Sequence, residues 1–213
     1  MGTYYKNVAN YIDKIDDGAW VEIGTDRGEG STKFFADLAQ ERGVKFFGVD
    51  ADPDQIERAR TNLSINSKLP NHVTLTTARG EDFLDAFPEQ YPDKQISLVY
   101  LDNFDWNYWL TVPEEPFVPG QRQHYREKMG IEMLNMNSQI THLVQAMRLV
   151  NLMTPNSIVV CDDTWFEPRE GIFIGKCAGA LPYLMIQGYK LLHYEGYRNQ
   201  RGGAGAVLGK FSE

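Results

Sequence analysis

Two short apolar runs, Ile96 to Leu101 and Ser157 to Cys161, each end in carboxylates. Asp102 follows the first, and Asp162 and Asp163 follow the second. Carboxylates gathered at one place repel unless they are protonated, paired or bridged by a cation. Hard oxygen ligands of this kind suit Mg²⁺, Ca²⁺ or Mn²⁺, so Asp102, Asp162 and Asp163 are candidate metal ligands. The competing reading is that Asp162 and Asp163 turn the loop by bonding backbone amides. Asp102, Asp105 and His124 are the candidate catalytic groups, with Asp105 or His124 placed to take a proton. Trp106, Trp109, Trp165 and Phe166 follow the same two run ends. They either wall an apolar or planar substrate pocket or form satellite core under a long loop.

A second group precedes these. Glu22-Ile-Gly24-Thr25-Asp-Arg-Gly28-Glu-Gly30-Ser31 follows the apolar run Ala19 to Ile23. Its glycines permit a tight turn and close backbone approach to a ligand. A helix starting near Ser31 directs free N–H groups there and favours an anionic group such as an amino-acid carboxylate. Glu22 carries the opposite sign and suits a ligand ammonium. Asp50, with Ala51 beside it, ends the next apolar run about 20 residues on, where an acid can accept both hydroxyls of a ribose. Asp52 reads as a helix cap with Pro53 at the first helical position. Gly80, Glu81 and Asp82 end a third run. They either meet an adenine edge or serve as first-turn helix acids. A dinucleotide-binding G-x-G-x-x-G is absent, because the second glycine, Gly28, comes four positions after Gly24.

The elements that must carry these residues alternate. Val8, Tyr11, Ile12 and Ile15 fall at helical spacing and Gly18 stops that helix. Strands are expected at Ala19 to Ile23, Lys45 to Val49, Val73 to Thr77, Ile96 to Leu101 and Ser157 to Cys161. Helices follow the first two, with Phe34, Phe35, Leu38 and Ala39 on one face and then Asp54 to Leu63. Residues 103–130 break the rhythm with Phe104, Tyr108, Pro113, Pro116, Phe117 and Pro119, and read as an irregular insertion or lid. Met136, Ile140, Leu143, Val144, Met147 and Val150 form the next apolar stripe, which places His142 on the solvated side. A helix near Gly175 to Gln187 stops at Gly188. Tyr189 to Glu195 and Gly205 to Lys210 close the chain as an antiparallel hairpin, and Arg198 and Arg201 in its connection read as a solvated turn. Such alternation predicts one α/β domain over residues 1–213: a mostly parallel sheet with helices on both faces and ligands at the strand ends.

Composition bounds the partners. The chain has 213 residues, 42% of them apolar, and a formal net charge of -8. That charge disfavours a nucleic acid partner. Two cysteines, Cys161 and Cys177, without C-x-x-C spacing argue against a disulfide framework or structural zinc. Cys161 reads as a buried core residue. No signal-peptide pattern and no run of about 18 apolar residues is present, so a cytoplasmic protein with no membrane association is expected.

Together these pieces resemble the class I S-adenosylmethionine (SAM)-dependent methyltransferase superfamily over most of the chain, from Trp20 to Lys210. The glycine loop with Glu22 two residues before Gly24 carries the resemblance. It implies a Rossmann-like seven-stranded sheet with an antiparallel last strand. It also implies that Gly24, Gly28, Gly30 and Ser31 surround the methionine part of SAM, that Asp50 holds the ribose, and that Gly80 to Asp82 lie beside adenine. Asp102, Asp162 and Asp163 match the metal positions of the divalent-metal O-methyltransferases of small molecules, of catechol and macrolide-sugar type. That resemblance implies methyl transfer to a hydroxyl of a small molecule with help from Mg²⁺. Two departures stand out: Asp163 replaces the usual Asn, and the position of the catechol type's general-base lysine falls on Asp105. A metal-independent N- or protein methyltransferase and a non-catalytic SAM-binding module are the alternatives. A homodimer is compatible with the size of the chain.

Overall fold

Every residue of β1 (Ala19–Ile23) is buried, Glu22 included, because it lies at the centre of the sheet. A computed structural model describes residues 4–64, 66, 68–107, 118–196 and 204–212. After β1 come α1 (Ser31–Arg42), β2 (Phe46–Asp50), α2 (Pro53–Leu63), β3 (Val73–Thr77), α3 (Gly80–Gln90) and β4 (Ile96–Leu101). Then follow α4 (Val118–His124), a π-helical turn at Tyr125–Met129, α5 (Asn135–Leu149), β5 (Met153–Asp162) and the hairpin β6 (Thr164–Glu167) and β7 (Ile172–Gly175). The chain ends in α6 (Ala180–Ile186), β8 (Lys190–Glu195) and β9 (Gly205–Lys210).

The main sheet has seven strands in the order β3-β2-β1-β4-β5-β9-β8. β1 to β5 are parallel, and β9 enters antiparallel between β5 and β8. The final hairpin is therefore present, with its last strand inside the sheet and β8 at the edge. One core layer packs α3, α5 and α6 on one face, with Phe83, Phe87, Ala146 and Leu181 among its members. The other packs α1, α2 and the N-terminal segment, through Phe35, Ile56, Ala59 and Tyr4. Helices on both faces explain why the central strands read as continuous apolar runs rather than alternating ones.

Several expectations are corrected. The N-terminal segment winds as 3₁₀ turns, Tyr4–Asn10 and Ile12–Lys14, rather than as one α-helix. Tyr4 and Tyr5 anchor it, with ring centroids 6.4 Å and 5.9 Å from Tyr100 on β4. The insertion is not irregular throughout, because α4 and the π turn occupy 118–129. Tyr108, Trp109, Pro113, Pro116 and Phe117 lie outside the described residues, as do Arg198 and Arg201.

The orientation of α5 differs most. Ser138, His142, Gln145, Ala146 and Leu149 are its buried face, while Met136, Ile140 and Met147 are exposed. Both sets have helical spacing, so periodicity alone does not choose between them. Local partners offset part of the cost of burying the polar set: His142 Nδ1 bonds Ser138 O at 2.7 Å, and Gln145 Nε2 donates to Glu81 at 3.1 Å. His142 is therefore buried, and burial lowers its pKa to about 3. Among the described residues, no helix is long and apolar enough to cross a membrane. Cys161 and Cys177 are both fully buried and free.

Candidate active site

Strand register fixes the site. Ile23 pairs with Val49 on one side and Leu101 on the other, and Leu101 pairs with Cys161. The residues that follow, Gly24, Asp50, Asp102 and Asp162, therefore leave the sheet in one row. The chain proceeds outward from β1 in both directions, so this row sits at the point where strand order reverses. A cavity of about 640 Å³ opens there.

Gly24 has φ +100°, and a Cβ there would sit 2.5 Å from Asn103 N, so only glycine lets the β1 and β4 ends approach this closely. Three of the non-glycine residues with positive φ also stand here: Asp26, Phe104 and Asp163. Strained backbone of this kind persists where the surrounding structure over-determines it.

Asp50 faces the cavity with both oxygens anchored. Oδ2 accepts from Asp26 N at 3.0 Å and Oδ1 from Asp52 N at 2.9 Å. Burial raises its pKa to about 6, against the pull of those two amides. Asp52 caps α2 through Asp54 N at 2.9 Å, with Pro53 next in the chain, as the sequence predicts. Gln55 Oε1 and Asn103 Oδ1 are buried acceptors without a partner among the described residues, and both residues line the cavity. This acceptor set fits a ligand rich in hydroxyl and amino donors, as SAM is. Gly24, Ala51, Gly80 and Glu81 also line the cavity.

Other predicted residues stand apart from it. Gly28 packs on Ala59 of α2, and a Cβ there would come 2.7 Å from the Ala59 Cα. Gly30 precedes α1, while Asp82 is exposed in the first turn of α3. Thr25 is buried and its carbonyl accepts from Thr32 Oγ1 at 3.1 Å. Ser31 points inward, and its hydroxyl donates to Glu22 Oε1 at 2.7 Å. Glu22 is fully buried, and burial raises its pKa to about 8. At that value most of it keeps its proton at pH 7 in the ligand-free protein.

This has a pH signature. The unfolded Glu22 releases its proton near 4.5, whereas the folded one holds it to about 8. Stability from this group is full below 4.5 and is lost as pH rises to about 8. Glu22→Gln is expected to keep its fold at pH 7 and to flatten that decline, as measured by melting temperature against pH. A slope identical to that of the wild type would contradict the buried, protonated assignment.

The acidic cluster holds the largest surprise. Lys176, absent from the sequence-derived site, inserts its ammonium between the three carboxylates. Its Nζ lies 2.8 Å from Asp102 Oδ1, 3.2 Å from Asp163 Oδ2 and 3.4 Å from Asp162 Oδ2. Burial alone would lower the Lys176 pKa, but Asp102, Asp163 and Asp162 together hold it well above the ordinary lysine range. Burial and the neighbouring Asp102 push Asp162 well up. The tertiary fold thus resolves the repulsion in two ways, with the Lys176 ammonium and with a proton held on Asp162, which hydrogen-bonds Asp102. Among the described residues, no group of three or more His, Cys, Asp or Glu could hold a metal ion. With the Lys176 ammonium at their centre, Asp102, Asp162 and Asp163 as placed here do not fit Mg²⁺.

The hairpin β6–β7 delivers Lys176. Lys176 N donates to Asp163 O at 3.0 Å, and Cys177 N to Thr164 Oγ1 at 2.9 Å. Gly175, at φ +110°, makes this return possible, since any Cβ there would collide with Asp163 O. Trp165 and Phe166 belong to the hairpin, where Phe166 packs on Phe173 at 5.3 Å. Neither they nor Trp106 line the cavity.

Asp105 does line it, and burial raises its pKa. Its backbone N–H donates to the Tyr125 hydroxyl at 2.7 Å, while Tyr125 stacks on Phe104 at 4.8 Å. Tyr125 carried no sequence signal, because the π turn that aims it was not foreseen. His124 also lines the cavity, with Nε2 3.3 Å from Asp52 Oδ2. Arg79 Nη2 donates to Met129 O at 2.9 Å, and Lys128 pairs with Asp54 at 3.1 Å. These contacts moor the 118–130 segment across the cavity.

Comparison with known proteins agrees with this geometry. Residues 21–106 match the family described as a methyltransferase domain. No curated protein sequence matches the chain significantly. A candidate methyltransferase from Streptococcus mutans, solved in complex with S-adenosylhomocysteine (SAH), has TM-score 0.58 at 10% identity, covering 99% of each chain. A candidate rRNA methylase from Clostridium thermocellum has TM-score 0.55 at 13% identity, covering 98% of this chain and 96% of its own. The N-methyltransferase NodS from Bradyrhizobium japonicum, in complex with SAH, has TM-score 0.54 at 13% identity, covering 96% and 83%. With the strand order found here, these likenesses assign the chain the Rossmann-like fold of the class I SAM-dependent methyltransferase superfamily.

Proposed function

We propose that this protein transfers the methyl group of SAM to a small-molecule acceptor bound over the β4 and β5 ends. The observation that carries this reading is the cavity itself, lined by Asp50 and Gly80 from beyond β2 and β3 and by Asp105 and Lys176 from beyond β4 and β7. SAM, when bound, supplies an electrophilic methyl group. Asp50 accepts hydroxyl donors, and Gln55 and Asn103 offer further acceptors along the wall. The 118–130 segment covers the mouth and keeps water away from the reacting atoms, which strengthens every charge interaction inside. Asp105 takes the proton that the acceptor must lose. Asp26, Asp52, Glu81 and Asp163 add to an acidic wall that speaks against a polyanionic acceptor such as RNA.

Among small acceptors, an amine is favoured over a hydroxyl. A hydroxyl must approach an oxyanion in the transition state, and that charge needs a cation beside it. The cation lining the cavity beside Asp105, Lys176, already serves three carboxylates. A neutral amine attacks without that help and needs only a carboxylate to receive its proton. Calorimetry with SAH tests the first part, and saturable binding is expected. Methyl-labelled SAM supplied with primary amines and with the corresponding alcohols tests the second, with label entering the amines. Absence of SAH binding would remove the methyltransferase reading, and label confined to alcohols would remove the amine.

A further inference from the structure

We propose that Lys176 is a resident substitute for a divalent cation, holding Asp102 and Asp163 toward the acceptor and making the site independent of metal. The consequence for catalysis rests on the methyl-transfer reading above, but the geometry of the cage does not. The ammonium has three N–H donors, and three carboxylates surround it at 2.8 Å, 3.2 Å and 3.4 Å. Nζ also donates to the Asp102 carbonyl at 3.4 Å. An Mg²⁺ ion would draw its oxygens to about 2.1 Å, and Ca²⁺ to about 2.4 Å, so either could enter only with the ammonium displaced.

Delivery of the lysine is also built in. The backbone N–H of Lys176 bonds the carbonyl of Asp163 while its side chain meets the Asp163 carboxylate, so one residue fixes both ends of it. The side chain is only 5% exposed. A surface lysine folded in by chance would lack both the hairpin that returns the chain to this point and the glycine that allows the return. With the ammonium in place, Lys176 acts as a positioning residue. It keeps adjacent carboxylates from splaying apart and leaves a single positive charge where a metal site would have two.

The test is Mn²⁺ binding, followed by calorimetry and by the electron paramagnetic resonance of free Mn²⁺. Wild-type protein is expected to bind none up to about 1 mM, and its labelled-methyl turnover is expected to be unchanged in EDTA. Lys176→Met and Lys176→Gln empty the cage and are expected to bind Mn²⁺ at about 1 mM or tighter, with Asp102→Asn in the same chain abolishing that gain. Removing the ammonium takes away the cation beside Asp102 and Asp163, so both variants are prepared with and without Mn²⁺. Folded protein recovered only with Mn²⁺ counts as the same gain. Wild-type binding that Asp102→Asn removes would overturn the proposal. So would variants that stay blind to Mn²⁺, or that fail to fold in its presence as well as its absence. SAH binding is measured in parallel on wild-type protein. Its failure would sink the methyl-transfer reading while leaving the Mn²⁺ result to stand on its own.

Discussion

Asp105→Asn is expected to lower kcat by about 10²- to 10⁴-fold while SAH affinity stays at the wild-type value. The size follows from the loss of general-base help, and the selectivity from leaving Asp50, Gln55 and Asn103 in place. The substitution keeps volume and leaves the backbone N–H that donates to Tyr125, so the loop is not released. Burial raises the Asp105 pKa, against the lowering effect of Lys176, which moves its titration toward neutrality. Ionised Asp105 is the form that accepts a proton, so wild-type kcat should rise with pH as it ionises and that limb should vanish in the variant. Rapid-quench measurement of labelled-methyl transfer across pH reads both effects. A variant with wild-type kcat would clear Asp105 of the role and turn attention to His124, the other titratable group of the 118–130 segment on the cavity wall.

Asp50→Ala should weaken SAH binding by about 1–3 kcal/mol, or roughly 5- to 160-fold in Kd. Two losses combine. The ligand loses a charged acceptor, and the amides of Asp26 and Asp52 lose the carboxylate that fixes the loop on either side. The pKa of Asp50, raised by burial to about 6, adds a sign to the expectation. Wild-type affinity should strengthen as pH rises through about 6 and the carboxylate ionises, and the variant should lack that step. Calorimetry at several pH values decides it, and an unaltered Kd would separate Asp50 from ribose recognition.

Much of the fold was legible in the order of residues. β1, β3, β4 and β9 run over the same residues that the apolar runs predict. The central strands are covered on both faces, so each must be apolar throughout, and that signal is local. Asp52 and Pro53 announce the start of α2 for an equally local reason, since a cap bonds an amide two residues away. The row of Gly24, Asp50, Asp102 and Asp162 was legible too, because parallel strands deliver their carboxyl ends to one edge.

What sequence left undecided depends on distant partners. Helical spacing on α5 offered two stripes, and only packing against α3 and α6 chose the one with His142 and Gln145. Glu22 is acidic by type, but the sheet centre removes water from it and so removes its charge. Asp102, Asp162 and Asp163 form an acidic cluster by spacing alone, which leaves open what neutralises them. Lys176 lies beyond a hairpin and carries no motif, so its place among them follows from the Gly175 return and the pairing of β6 with β7. Sequence therefore determined which backbone ends meet, because hydrogen-bonded register is written in local apolar runs. Tertiary structure alone decided the charge state at that meeting point, because desolvation and ion pairing depend on every group folded within a few ångströms.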